Sequence, residues 1–112
     1  MFKNFLTYSF ALRFQRSCQL LKIPRSLHER LMQSGSTLTQ QFHLSTRAPD
    51  PKDELKHLCV ALMALRDCRE TLEQTGALSG DLKVEFTILH ARIEQLCLKA
   101  SEADHGQLRM LG

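Results

Sequence analysis

The sequence has little of the residues that make tight turns and little that stacks on bases or sugars. Its 112 residues include no Trp, one Tyr, three Pro and five Gly. A β-protein with many tight turns needs more Gly and Pro than this, so that class is excluded. The longest unbroken apolar run, from Leu58 to Leu65, is far shorter than the roughly 20 residues that span a bilayer. The length is that of one domain.

The sequence also lacks the motifs that carry common chemistries. None of its four cysteines, which are Cys18, Cys59, Cys68 and Cys97, forms a CxxC pair. No HExxH, Gly-rich phosphate loop or GxSxG motif is present. We expect reduced, buried thiols, with disulfides or a metal site as the alternative. We therefore predict no catalytic residue, no cofactor and no metal.

The start of the chain resembles a signal peptide only superficially. Arg13 and Arg16 interrupt its apolar residues, and no cleavage site with small residues follows. The sequence therefore favours a cytoplasmic protein that does not contact a membrane.

Four segments have the apolar spacing of helices, at about residues 3–22, 26–45, 51–74 and 79–103. Pro24 ends the first segment, and Ser26 with Glu29 predicts a capping box for the second. Asp50 predicts an N-cap for the third segment, and Gly76 predicts its C-cap. Ser34 and Gly35 are small residues within an apolar stripe, which permits close helix approach.

No segment has the alternating pattern of a strand. Four helices of about 20 residues, each about 30 Å long, can pack through short connections only as antiparallel neighbours. The predicted fold is all-α, an antiparallel up-down-up-down four-helix bundle. We expect it to occupy residues 1–104, with a frayed C-terminal tail at residues 105–112.

The apolar run in the third helix exceeds what one bundle buries. Eight consecutive apolar residues cover every side of two helical turns, whereas a bundle helix buries one stripe. We therefore predict an oligomer interface at Val60, Ala61, Met63 and Ala64. The alternative is a monomer in which Ala61 and Ala64, both small, are exposed at little cost.

Charge is divided unevenly along the chain. Residues 1–47 carry seven Lys/Arg and one acid, a net charge of +6, whereas residues 48–112 carry a net charge of −3. A basic cluster suits contacts with phosphates. The candidate nucleic-acid-binding residues are Arg13, Arg16, Lys22, Arg25 and Arg30. The alternative is an ordinary solvated polar face.

The order of these elements resembles a bacterial family. A basic, aromatic first helix precedes the break Lys22-Ile23-Pro24-Arg25, and the segment from Ala61 to Leu72 precedes the turn from Gly76 to Ser79. In these features, over about residues 5–100, the chain resembles the four-helix-bundle proteins encoded in 23S ribosomal RNA intervening sequences. It is especially similar to their relatives, the accessory variability determinant proteins of diversity-generating retroelements.

One segment departs from the first branch of that family. The stretch from Ser36 to His43 replaces a Pro-Ser-Asn-Ile-Ala-Glu-Gly-like segment, which favours the accessory-protein branch. The resemblance implies a homopentameric ring without enzymatic activity that binds nucleic acid and a reverse transcriptase. The family's basic positions carry over loosely to Arg13, Arg16, Lys22, Arg25 and Arg30. A protein-binding scaffold without a nucleic-acid role is the alternative function.

Overall fold

Four helices make up the computed structural model, which describes the backbone of residues 4–111 and the side chains of residues 4–106. They are α1 (Phe5–Gln19), α2 (Arg25–Thr46), α3 (Pro51–Thr75) and α4 (Gly80–Leu111). No strand occurs within the described residues. The all-α prediction is therefore confirmed.

The caps of α3 are those that the sequence predicts. The Asp50 carboxylate accepts a hydrogen bond from the Asp53 N–H at 2.9 Å, and Pro51 occupies the first helical position. At the other end, Gly76 has a φ of +72°, the left-handed conformation that costs glycine little. Its N–H donates to the Glu73 carbonyl at 3.1 Å, while the Ala77 N–H donates to the Leu72 carbonyl at 2.9 Å.

The capping box predicted for α2 is wrong. Pro24, with an extended backbone (φ −51°, ψ 143°), stands at the N-cap, and its carbonyl accepts the His28 N–H at 2.9 Å. The proline thus starts the helix earlier than predicted and leaves Ser26 inside the first turn. The Glu29 carboxylate pairs with Arg25 instead of reaching back to a backbone N–H.

The fourth helix is longer than predicted. It is helical through Leu111, so the expected end near Ala103 is corrected. Gly106 lies within it, and one glycine costs a helix interior only about 1 kcal/mol relative to alanine. Of the predicted tail, the side chains of residues 107–112 lie outside the described residues.

Contacts between the helices show that neighbours run antiparallel. Arg30 on α2 meets Asp67 on α3, and further along α2 Gln41 meets His57. Partner numbers therefore fall on α3 as they rise on α2. The same order holds for α1 and α2, where Tyr8 meets Phe42 and the later residue Gln15 meets the earlier residue Gly35. It also holds for α1 and α4, where Phe10 meets Arg92 and Phe14 meets Phe86.

The core lies along the shared axis of the helices. Its largest fully buried apolar side chains come from all four: Phe14, Leu31, Leu38, Phe42, Leu58, Leu65, Leu72, Leu89 and Ile93. Gly35 is buried where α2 approaches α1, and a Cβ there would lie 3.3 Å from Cγ of Gln15. The predicted close approach at a small residue is therefore confirmed. None of the helices, over the part described, has the length and apolarity needed to cross a membrane.

Candidate nucleic-acid interface

The outer side of α1 carries two exposed arginines whose charge is not compensated. Arg13 and Arg16 line a shallow groove of about 490 Å³ together with Ser9, Leu12, Gln15 and Gln19. The described part of the chain provides no salt bridge to either guanidinium, and α1 contains no acidic residue. Lys22, in the connection after α1, is also exposed and has no ion pair with any described residue. We call Arg13, Arg16 and Lys22 the α1 basic face.

The other two predicted cations are engaged with acids. The Arg25 guanidinium lies 3.2 Å from the Glu29 carboxylate, although both side chains are well exposed. Arg30 donates to Oδ1 of Asp67 at 2.7 Å and lies 3.7 Å from Oε2 of Glu70. Sequence analysis grouped all five cations in one cluster, whereas over the residues that the structure describes three of them, Arg13, Arg16 and Lys22, have no ion pair.

Asp67 is the centre of a polar contact between α2 and α3. Its second carboxylate oxygen accepts a hydrogen bond from the Ser34 hydroxyl. The hydrogen bonds from Arg30 and then from Ser34 lower the pKa of Asp67, and the same carboxylate raises the pKa of Arg30. Arg30 therefore links α2 to α3 through its ion pair with Asp67.

One further cation reaches the same side of the molecule from α4. The Arg92 guanidinium lies over the Phe10 ring, 4.8 Å from its centroid. Phe10 lines a small cleft together with Arg13, so Arg92 adds positive charge beside the α1 basic face. Sequence analysis missed it because Arg92 belongs to the acidic half of the chain, and only antiparallel packing of α4 against α1 places it there.

The buried cysteines offer no reactive thiolate. Burial, followed by the negative charge of Glu85, raises the pKa of the Cys18 thiol to about 12. Burial also raises the pKa of Cys68. Both thiols therefore stay protonated at neutral pH. No disulfide joins any of the four cysteines, but Cys59 is exposed, which corrects the expectation that all are buried.

Other groups with chemical potential are dispersed. Arg69 is half-exposed, lies 5.9 Å from the Phe86 ring centroid and pairs with Glu73 at 3.7 Å. His90 pairs with Glu94 in the next turn of its own helix at 2.8 Å. Among the described residues, no three His, Cys, Asp or Glu side chains are placed to hold a metal ion.

The candidate oligomer interface divides between surface and core. Met63 is 67% exposed and Val60 is 38% exposed, whereas Ala61 is 0% exposed and Ala64 only 8%. Ala61 is therefore corrected from interface to core, because a side chain wholly buried in its own bundle has no surface for a second copy. Val60 and Met63 remain exposed, and they line a groove of about 480 Å³ between α2 and α3 to which the largely buried Ala64 contributes only its small exposed fraction.

The predicted alternative for this run is also corrected. It placed the small residues Ala61 and Ala64 on the surface, but those two are buried. The exposed members of the run are Cys59, Val60 and Met63, and the last two are larger and more apolar than alanine.

The α1 basic face is interspersed with exposed apolar side chains. Phe5 is 62% exposed and Leu20 is 78% exposed, and Leu6 and Leu12 are exposed as well. The outer side of α1 is thus both cationic and apolar. Comparison with family models, curated proteins and solved structures found no match to this chain.

Proposed function

We propose that this protein is a non-catalytic, oligomeric accessory protein that binds nucleic acid through the α1 basic face. The observation that carries this proposal is the lack of any acid on α1 and of any ion pair to Arg13 and Arg16 within the described residues. Arg92 beside Phe10 extends the positive surface onto α4. Exposed guanidinium groups without partners are free to bind phosphates and release condensed counterions.

The proposed binding is independent of base sequence. The chain has no Trp and one Tyr, and that Tyr stacks on Phe42 inside the bundle, so few aromatic rings remain for stacking on bases. Contacts to phosphates then supply most of the affinity. Such affinity falls steeply with salt.

Oligomer formation belongs to the same proposal. Val60 and Met63 provide exposed apolar surface on α3, away from α1, and a symmetric ring would repeat the basic face once per subunit. The resemblance to the accessory variability determinant proteins makes a pentamer the expected ring. It makes a reverse transcriptase the expected protein partner, in the cytoplasm of a bacterium.

The test compares two double variants of equal charge change. Arg13→Glu with Arg16→Glu reverses the α1 basic face, and Lys52→Glu with Lys56→Glu reverses two exposed lysines on α3. Binding to fluorescent single-stranded and duplex RNA and DNA is measured by anisotropy over a salt series. The α1 variant should lose at least tenfold in affinity and reduce the salt slope by about 2, since each phosphate contact contributes about 0.7–0.9 to it.

Two outcomes would contradict nucleic-acid binding by α1. One is an equal loss in both double variants, which would mean that overall charge alone decides binding. The other is absence of binding by the unaltered protein even at low salt. Circular dichroism of both variants checks that the helices are retained.

The exposed apolar residues of α1 favour a second candidate, a protein-binding scaffold. Phe5, Leu6, Leu12 and Leu20 would then contact an acidic, apolar surface of another protein. Leu12→Ser with Leu20→Ser separates the two functions. If phosphates are the ligand, that variant should keep its affinity for nucleic acid. If the protein is a scaffold, the variant should lose its protein partner, and the unaltered protein should not bind nucleic acid.

A further inference from the structure

Two cysteines lie side by side at the edge between α3 and α4. Cys59 on α3 is exposed, and Cys97 on α4 is partly buried. The charge of Cys59 acts on Cys97, so the two side chains lie close to each other. Leu55 and Leu62, one turn before and one turn after Cys59, line a groove together with Cys97. Cys59 and Cys97 therefore lie on the facing sides of α3 and α4.

We propose that Cys59 and Cys97 form a dithiol site that a hydroperoxide oxidises to a disulfide between α3 and α4. The proposal does not depend on nucleic-acid binding, because the site lies on the α4 side of α3 and shares no residue with the α1 basic face. It also does not involve Val60, which faces the groove on the α2 side of the same helix.

The surroundings of the two thiols assign them different roles. Cys59 is the thiol that reacts first, because the peroxide reaches it from solvent. Burial, followed by the negative charge of Cys59, raises the pKa of Cys97 to about 11, so Cys97 keeps its proton at neutral pH. Cys97 is therefore the resolving thiol, placed beside Cys59 in the groove that Leu55 and Leu62 of α3 line with it.

The chemistry takes two steps. The Cys59 thiolate attacks one oxygen of hydrogen peroxide, the O–O bond breaks, and the departing hydroxide takes a proton to leave as water. Cys59 is then a sulfenic acid. The Cys97 sulfur attacks the Cys59 sulfur, the S–O bond breaks, and the hydroxide leaves as a second water with the proton of Cys97. In sum, two thiols and one peroxide give one disulfide and two waters.

The two remaining cysteines provide an internal comparison. Cys18 and Cys68 are also close enough for the charge of Cys18 to affect Cys68, but both are buried in the core. Peroxide reaches them only when the bundle opens, so they should stay reduced while Cys59 and Cys97 react. Exposure, in addition to proximity, decides which pair is oxidised.

Tryptic mapping of the intact chain tests the proposal. Trypsin places Cys59 in residues 57–66 and Cys97 in residues 93–99, while Cys18 and Cys68 fall in residues 17–22 and 67–69. The reduced protein is treated with hydrogen peroxide, alkylated after denaturation and digested without reductant. We expect free thiols to fall from four to two and residues 57–66 to be linked to residues 93–99, reversibly with dithiothreitol.

Single serine variants check the two roles. In Cys97→Ser, Cys59 should stop at the sulfenic acid, which dimedone traps, whereas in Cys59→Ser residues 93–99 should stay unmodified. Cys59 sulfenic acid that accumulates in the unaltered protein without a link to Cys97 would overturn the proposal. A dominant Cys59–Cys59 link between two chains, or a link between Cys18 and Cys68, would also overturn it.

Discussion

At the scale of single residues, a few polar contacts between helices decide how the bundle is fastened. The Asp67 carboxylate joins Ser34 and Arg30 of α2 to α3, two positions more than thirty residues away in the chain. The contact is partly exposed, so solvent screens it and its contribution to stability is modest. It nevertheless makes stability depend on pH, because these hydrogen bonds lower the pKa of Asp67.

Asp67→Asn should lower the free energy of unfolding by about 1 kcal/mol at pH 7. Since the folded-state pKa lies below the ordinary value of 3.8, the ionised carboxylate stabilises the fold above about pH 5 and loses that effect as pH falls through the folded-state pKa. Urea unfolding at pH 7 and pH 2 should show a smaller difference from the unaltered protein at pH 2 than at pH 7. Glu102→Gln, at an exposed acid on α4, is the control, and an equal loss at both pH values would contradict the assignment.

Gly35 shows how a single small side chain sets the spacing of two helices. In Gly35→Ala the new methyl group meets the flexible Gln15 side chain, which can move, so the higher helix propensity of alanine should stabilise the protein by about 0.5 kcal/mol. In Gly35→Leu the larger group cannot fit between α1 and α2, and a loss of about 2 kcal/mol is expected. Thermal unfolding measures both. A leucine variant as stable as the alanine variant would show that α1 does not pack closely there.

At the scale of the elements, the ends of the helices depend on local chemistry. The segment Pro49-Asp50-Pro51 separates α2 from α3 and then starts α3, with Asp53 and Glu54 in the first turn near the positive end of the helix dipole. Gly76 closes the same helix. These signals act over four or five residues, which is why the sequence alone located both ends of α3 to within one residue.

Asp50→Ala should destabilise the protein by about 1 kcal/mol, because the Asp53 N–H loses its acceptor at the start of α3. Asp50→Asn keeps a side-chain oxygen in the same place and should destabilise the protein by only a few tenths of a kcal/mol. Chemical denaturation of both variants gives the comparison. If asparagine and alanine are equally destabilising, the carboxylate acts through its charge and not as a cap.

At the scale of the whole molecule, the bundle separates charge and leaves apolar surface unpaired. Its extents of 53 × 25 × 19 Å describe a rod. The α1 basic face lies on α1 and the connection after it, while Met63 and Val60 lie on α3, which is not a neighbour of α1 in the bundle. Assembly through α3 would thus leave the cationic surface free for a ligand.

Met63→Asp should reduce the proposed oligomer to single bundles, because a charge introduced at the proposed interface would be buried without a partner. Small-angle scattering of the variant should then give a radius of gyration near 15.1 Å, the Cα value for one chain, whereas the unaltered protein should give a larger one. Leu98→Asp, at a similarly exposed residue of α4, is the control and should leave the assembly intact. A single-bundle value for the unaltered protein at micromolar concentration would contradict the oligomer.

The sequence by itself determined the fold class, the four helices and both caps of α3, since apolar periodicity, prolines and capping residues act on neighbouring residues. It also determined that the first half of the chain is basic, because composition needs no structure. It misjudged the start of α2 and the end of α4, and it also extended α1 to about residue 22, whereas α1 ends at Gln19. At the first, Pro24 gave a stronger local signal than Ser26, and at the second, no residue in the sequence is strong enough to stop the helix.

Only the tertiary structure decided which of those residues can contact a ligand, a partner or each other. Arg30 pairs with Asp67 and Glu70, Arg92 lies over Phe10 of α1, Ala61 is buried in the core, and Cys59 lies close to Cys97. Each of these outcomes depends on a partner about 30 or more residues away or on the rotation of a helix about its axis. No local pattern encodes that rotation, because it is set by how four helices share one core.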